Sequence, residues 1–196
     1  MRVFIAIPVS QDIKAKLIGI QQEFQRLSGE ATWVREAGFH LTLKFFGDID
    51  RRQIEPIVSC MGDTSSGYRS FSVAVSGVGV FPHPSRPRVL WVDIQDDGKQ
   101  LIQLQQTLER SLKGRGFRTE DRHFAPHLTL ARLRCIPRLG DFITCVTEHQ
   151  TDTLGSLAVS HLELIESELN PTGARYSTIK AVRFQPMVLD HEADPK

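Results

Sequence analysis

The 196-residue sequence is poor in cysteine, with an odd three at positions 60, 135 and 145. No Cys-x-x-Cys or His-Glu-x-x-His spacing occurs, so a disulfide scaffold is excluded, a reducing compartment is implied, and no metal ligands are expected. Long apolar runs are also missing. Met1 to Ile7 is apolar but too short for a secretion signal, and it turns polar at Ser10. No stretch approaches membrane-spanning length, so a cytoplasmic protein without a membrane partner is expected. An excess of one charge is absent overall, the formal net charge being +1. Neither a Gly-rich phosphate loop nor a Gly-x-Ser-x-Gly elbow is found, which sets aside the common nucleotide-binding and serine-hydrolase chemistries.

Against these absences stands a repeated phrase. Phe39-His40-Leu41-Thr42-Leu43 is echoed by His127-Leu128-Thr129-Leu130, 87 residues later. Each run is of β type, and a strand sends residues i and i+2 to one face. His40 therefore shares a face with Thr42, and His127 with Thr129, while the leucines turn toward a core. The surroundings of the second copy are basic. Residues 113–138 hold seven Lys and Arg side chains against Glu120 and Asp121, a local excess that suits either a solvated loop or a surface for a polyanion.

The flanking elements are ordinary in composition, with 40% hydrophobic and 24% charged residues. Val3–Ile7 reads as a buried strand. Ser10 then caps a helix whose stripe is Ile13, Leu17, Ile20, Phe24 and Leu27. Thr32-Trp33-Val34 leads into the first motif strand, which ends near Gly47. Asp50 caps a second helix over roughly residues 51–61, although Pro56 lies inside it, and 63–67 reads as a polar loop. Strands follow at 71–81 and 89–92, then a helix marked by Leu101, Leu104, Leu108 and Leu112. Residues 139–158 read as a short helix near Phe142–Val146 followed by a loop. Beyond them a strand from Val159 to Leu169 turns at Asn170-Pro171-Thr172-Gly173 into a second one, Tyr176–Phe184.

No segment looks like a linker. The expectation is an α+β fold, with antiparallel sheets, outer helices and two pseudo-symmetric lobes around one cleft. Residues 1–190 would form a single bilobal domain with an internal duplication, and 191–196 a polar tail.

Two histidines and two threonines on one cleft can divide the labour of phosphodiester cleavage. One neutral imidazole takes a proton from water and one imidazolium gives a proton to the departing oxygen. Threonine hydroxyls can donate to the non-bridging oxygens, which gain charge in the transition state. No metal or other cofactor is called for. By parity Lys44 falls on the face of His40 and Thr42, as a phosphate contact or as a lysine facing solvent beyond the cleft. Phe39 and Phe124, each near a motif histidine, are candidates to stack on a flat ring of a ligand.

The doubled motif and its flanks resemble the two-histidine phosphoesterases, specifically the RNA 2′,3′-cyclic phosphodiesterases, also called 2′-5′ RNA ligases. The resemblance runs through Arg2-Val3-Phe4-Ile5-Ala6-Ile7, Trp33-Val34 and His40 to Gly47. It continues in Gly79-Val80-Phe81-Pro82, Pro87 to Trp91 and Pro126 to Arg132. It implies hydrolysis of RNA 2′,3′-cyclic phosphate ends to 2′-phosphates, with ligation as a related reaction. It further implies His40 as proton donor, His127 as proton acceptor and Arg132 beside the phosphate. Pseudo-symmetry leaves the two histidine roles interchangeable on paper. Parity alone turns Arg132 away from the cleft, so a bulge just past Leu130 is required to bring it in. The expected partners are RNA ends or nucleotides carrying a cyclic phosphate, and a monomer is expected. Two alternatives keep the same cleft: a phosphodiesterase for another nucleotide, and an RNA- or nucleotide-binding module without turnover. Two proton carriers favour the enzyme.

Overall fold

The structure, a computed structural model, describes residues 1–120, 123–170 and 173–185. The chain starts with strand β1 (Arg2–Pro8), helix α1 (Gln11–Gln25) and the short strand β2 (Ala31–Trp33). The first motif strand, β3 (His40–Asp48), follows a 3-10 turn at Glu36–Gly38. Next come α2 (Ile54–Ser66), β4 (Phe71–Phe81), β5 (Val89–Gln95) and α3 (Gln100–Gly114). The second motif strand, β6 (His127–Leu133), leads to α4 (Leu139–Glu148), β7 (Thr153–Val159), β8 (His161–Asn170) and β9 (Gly173–Arg183).

Two antiparallel sheets result, one ordered β3-β1-β8-β9 and the other β2-β6-β5-β4-β7. The expected α+β class and antiparallel sheets are present, but the lobes are interleaved along the chain. β2 pairs with β6 in the five-stranded sheet rather than leading straight into β3. The helices cross over as well. α1 packs on β6 and β7, whereas α3 packs on β3 and α2 packs on β8 and β9. Each half of the chain therefore supplies a helix to the other sheet. One continuous apolar core results, including Ile5, Leu41, Leu17, Leu90, Leu104 and Leu128. The opposite face of β1 adds a second, small cluster of Phe4, Ala6, Ile165 and Tyr176.

Three local expectations change. Pro56 is the third residue of α2, where its missing N–H has no intrahelical partner to lose, so the helix is not broken. Asp50 and Gln53 form a capping box just ahead of it. The helix then runs through the supposed loop at 63–67, with Thr64 and Ser65 buried. Residues 139–158 hold a ten-residue helix and a full strand, β7, which pairs along β4. The turn residues Pro171 and Thr172 and the tail 191–196 lie outside the described residues. Among those described, no helix is long and apolar enough to cross a membrane.

Candidate active site

The motif strands sit in different sheets, β3 at an edge and β6 one strand in from an edge, and they contact each other directly. The same irregularity occurs in both. Along β1, the pairing of β3 passes from Ala6↔Thr42 to Ile5↔Lys44 and skips Leu43. Along β5, the pairing of β6 passes from Trp91↔Thr129 to Leu90↔Ala131 and skips Leu130. Each is a β-bulge at the last leucine of the repeated phrase, and a bulge reverses the in–out alternation beyond it. Before the bulge, leucines point to the core and His and Thr to the other face. Thr42 is exposed and Thr129 half-buried, as are both histidines.

After the bulge the faces exchange. In β6, Leu130 and Ala131 are both buried and Arg132 emerges on the side of His127 and Thr129. In β3 the same flip buries Lys44, which is 3% exposed and lies 2.9 Å from Glu109 of α3. Its ammonium also donates to the Arg118 carbonyl at 2.8 Å and approaches Glu120 at 3.7 Å. Lys44 is therefore neither on the cleft face nor in solvent. The position equivalent to Arg132 is Phe45, which is 44% exposed beneath the Arg2 guanidinium, 5.2 Å from the ring centre. Phe39 is likewise not available for stacking, being 3% exposed in the core. Strict alternation already puts it with Leu41 and Leu43. Phe124 lines a different hollow, of about 830 Å³ beside α3, which none of the motif histidines or threonines lines.

The bulge in β6 also fastens the site. Its Leu130 carbonyl accepts the Val34 N–H at 2.9 Å, continuing the pairing of β2 with β6. Gln21, buried in α1, donates its amide to both Val34 O and Leu130 O, each at 2.8 Å. One side chain thus ties the segment entering β3 to the bulge of β6. A lone glutamine in a helical stripe offers no sequence signal for this.

The two histidines have different surroundings. His40 stacks on Phe4, with ring centres 4.5 Å apart, and meets the edge of Tyr176 at 5.3 Å. Gly38 makes room for that tyrosine, since a Cβ there would lie 3.1 Å from its ring. Burial pushes the His40 imidazole down to about 4, and the positive charge of Lys14 on α1 adds to the effect. Across the site, His127 Nδ1 lies 2.7 Å from Ala125 O. A carbonyl can only accept, so Nδ1 carries the hydrogen and a neutral ring presents Nε2 as its base. Asp93 sits opposite His127 in the ladder, its carboxyl pushed up by burial, with the Ile94 N–H and the imidazole acting the other way. Phe81 and Trp91 close on the ring edgewise at 5.2 and 6.3 Å. The indole lies across Gly79, where a Cβ would come within 2.3 Å of it.

Proton exchange at an anionic group is what such a constellation can perform. An imidazole that presents Nε2, a sheltered second imidazole, two hydroxyls and a guanidinium stand on two strands that contact each other. Comparisons with known proteins point the same way. The LigT like Phosphoesterase family model matches twice, over residues 7–91 and 92–176, one copy for each half of the chain. An RNA 2′,3′-cyclic phosphodiesterase of Methanothermobacter thermautotrophicus is 31% identical over 94% of this chain and 99% of its own. One from Thermotoga maritima is 32% identical over 94% and 96%. The crystal structure of TT0787 of Thermus thermophilus superposes with a TM-score of 0.80 at 23% identity, covering 95% of this chain and 99% of that one. The chain belongs to the LigT-like phosphoesterase family.

Proposed function

We propose that the protein hydrolyses the 2′,3′-cyclic phosphate of an RNA end to a 2′-phosphate, with no metal in the reaction. The repeated His-x-Thr pair, carried on two strands that bulge at the same motif position, is the observation that carries this reading. The names of the relatives supply the substrate class. Water attacks phosphorus and passes its proton to His127 Nε2. The bond from phosphorus to the 3′-oxygen breaks, and that oxygen takes its proton from His40. Thr42 and Thr129 donate to the non-bridging oxygens, and Arg132, brought round by the bulge, offsets their charge. Phe45, not Phe39, supplies the exposed ring against which a base can lie. An RNA 5′-hydroxyl in place of water would give a 2′-5′ linkage. Three unpaired cysteines accord with a reducing, cytoplasmic setting.

The depressed basicity of His40 fits a donor that is loaded by its substrate. At pH 7 an imidazole of pKa about 4 holds its proton in only about one molecule in a thousand. An arriving phosphate anion favours the imidazolium, so the acid is charged where it is needed and is then a strong one. The test offers RNA ending in a 2′,3′-cyclic phosphate to the wild type in excess chelator. Turnover to a 2′-phosphate is expected. A 3′-phosphate product would reverse the bond assignment, and binding without turnover would leave a binding module.

A further inference from the structure

Away from the cleft, α1 and α4 bring together three side chains that the reaction does not use. Cys145 and His149 stand one turn apart on α4 and its C-cap, and therefore on one face. Glu23 reaches them from α1. One donor atom from each of the three lies within 4.8 Å of the others, and among the described residues this is the one such group of His, Cys and carboxylate. His149 Nε2 is 3.0 Å from Glu23 Oε2, while His149 Nδ1 is 2.6 Å from an Asp152 oxygen. The Phe24 ring holds the imidazole from one side, centres 5.9 Å apart.

We propose that Glu23, Cys145 and His149 bind a zinc-class divalent cation that clamps α1 to α4. A thiolate, an imidazole and a carboxylate are a borderline-soft set that suits zinc better than magnesium or calcium. Tetrahedral zinc separates its ligand atoms by about 3.3–3.7 Å, so the cluster closes with small side-chain movements. The carboxylate of Asp152 on the far ring nitrogen is the outer partner that zinc-bound histidines ordinarily have, and it fixes Nε2 as the ligating atom. Cys145 is 8% exposed and binds as thiolate, releasing its proton to solvent. Glu23 is 53% exposed at the rim, which leaves the remaining coordination position to water. A hollow of about 340 Å³ lies alongside, lined by both Glu23 and Cys145, with Asp141 and Glu148 outweighing Arg26 in charge. The spacing Cys-x-x-x-His matches no common metal signature, and the third ligand lies 122 residues earlier in the chain, so the sequence conceals the cluster.

The chelator-stripped full chain is titrated with Zn²⁺ by calorimetry and with Co²⁺ by absorption. One equivalent is expected, with a thiolate-to-cobalt charge-transfer band in the near ultraviolet. Cys145→Ala and Cys145→Ser should abolish the band, and Asp152→Asn should weaken binding by about 10–100-fold. Zn²⁺ should shield Cys145 from alkylation while leaving the exposed Cys135 reactive, a readout needing no substitution. The band should persist in the His40→Ala/His127→Ala double variant. Loss of the band there would move the metal to the cleft and overturn the proposal. So would its survival in Cys145→Ala, or the absence of any band in the wild type. Turnover of cyclic phosphate in excess chelator is read separately, so either result leaves the other intact.

Discussion

On the four-stranded sheet, the motif histidine lies between Phe4 and Tyr176, and among the described residues no hydrogen bond reaches its ring nitrogens. On the five-stranded sheet, its counterpart is tied through Nδ1 to Ala125 and faces Asp93 across the ladder. The same four residues, His-Leu-Thr-Leu, thus stand in two different proton environments. Apolar shelter makes one imidazole reluctant to hold a proton, while a carbonyl contact orders the other and aims its lone pair. A duplicated motif need not mean duplicated chemistry. In the proposed reaction the neighbours contributed by the rest of the chain separate acid from base.

The largest test of that asymmetry removes each histidine in turn. His40→Ala and His127→Ala should each lower kcat on the cyclic phosphate by about 10²–10⁴-fold. With a p-nitrophenyl phosphodiester, whose leaving group needs no proton, His40→Ala should recover most of its loss and His127→Ala none. Equal losses on both substrates would dissolve the distinction.

The two bulges make the second contrast. Arg132 comes out on the face of His127 and Thr129 while Lys44 goes in to Glu109, so their substitutions should act on different quantities. Lys44→Ala takes the ammonium from the half-buried Glu109 carboxylate and should cost about 3 kcal/mol in denaturant unfolding, with kcat retained in the folded fraction. Arg132→Ala should leave unfolding nearly unchanged and raise KM. A Lys44→Ala variant of wild-type stability but impaired substrate binding would return Lys44 to the phosphate.

His40 also makes stability depend on pH. Its imidazole titrates at about 4 when folded and at about 6.5 when unfolded, so between those values the unfolded chain binds more protons. Stability is full above pH 6.5 and falls by up to about 3 kcal/mol as pH drops to 4. A His40→Asn variant should lose that part of the acid dependence. Imidazole resonances should show His40 titrating near 4 alone and higher with inorganic phosphate bound. Titration at the ordinary value in the free protein would remove the sheltered-acid account.

The smallest expected effect concerns the link between the halves. Gln21→Leu removes the amide shared by Val34 O and Leu130 O, and should cost about 1–3 kcal/mol of stability. Its effect on kcat should exceed its effect on KM, because the two strands lose their tie while Thr42, Thr129 and Arg132 remain. An unchanged kcat would show that sheet packing alone sets the distance between motifs.

Short-range pattern is enough to group His40 with Thr42 and His127 with Thr129, to place the leucines in a core and to identify the halves as copies. Those features rest on a two-residue period and on repeated words, both visible locally. Phe39 as a stacking residue conflicts with that same period, which already assigns it to the core. Lys44 cannot be placed from its own neighbours at all, because a bulge depends on the pairing of β3 with β1. The need for a bulge beyond Leu130 is legible only as a conflict between parity and Arg132. Gln21, Lys14, Tyr176 and Trp91 come to the site from distant elements, and single residues without a local partner leave no pattern to read.

The sequence by itself determined which imidazoles and hydroxyls share a strand face, because residue type at fixed strand parity is a property of a few adjacent positions. Only the tertiary structure decided which charge reaches the cleft, which imidazole is sheltered and which strand lies in which sheet. Those outcomes depend on strand register, helix exchange and desolvation, and each arises between segments far apart in the chain.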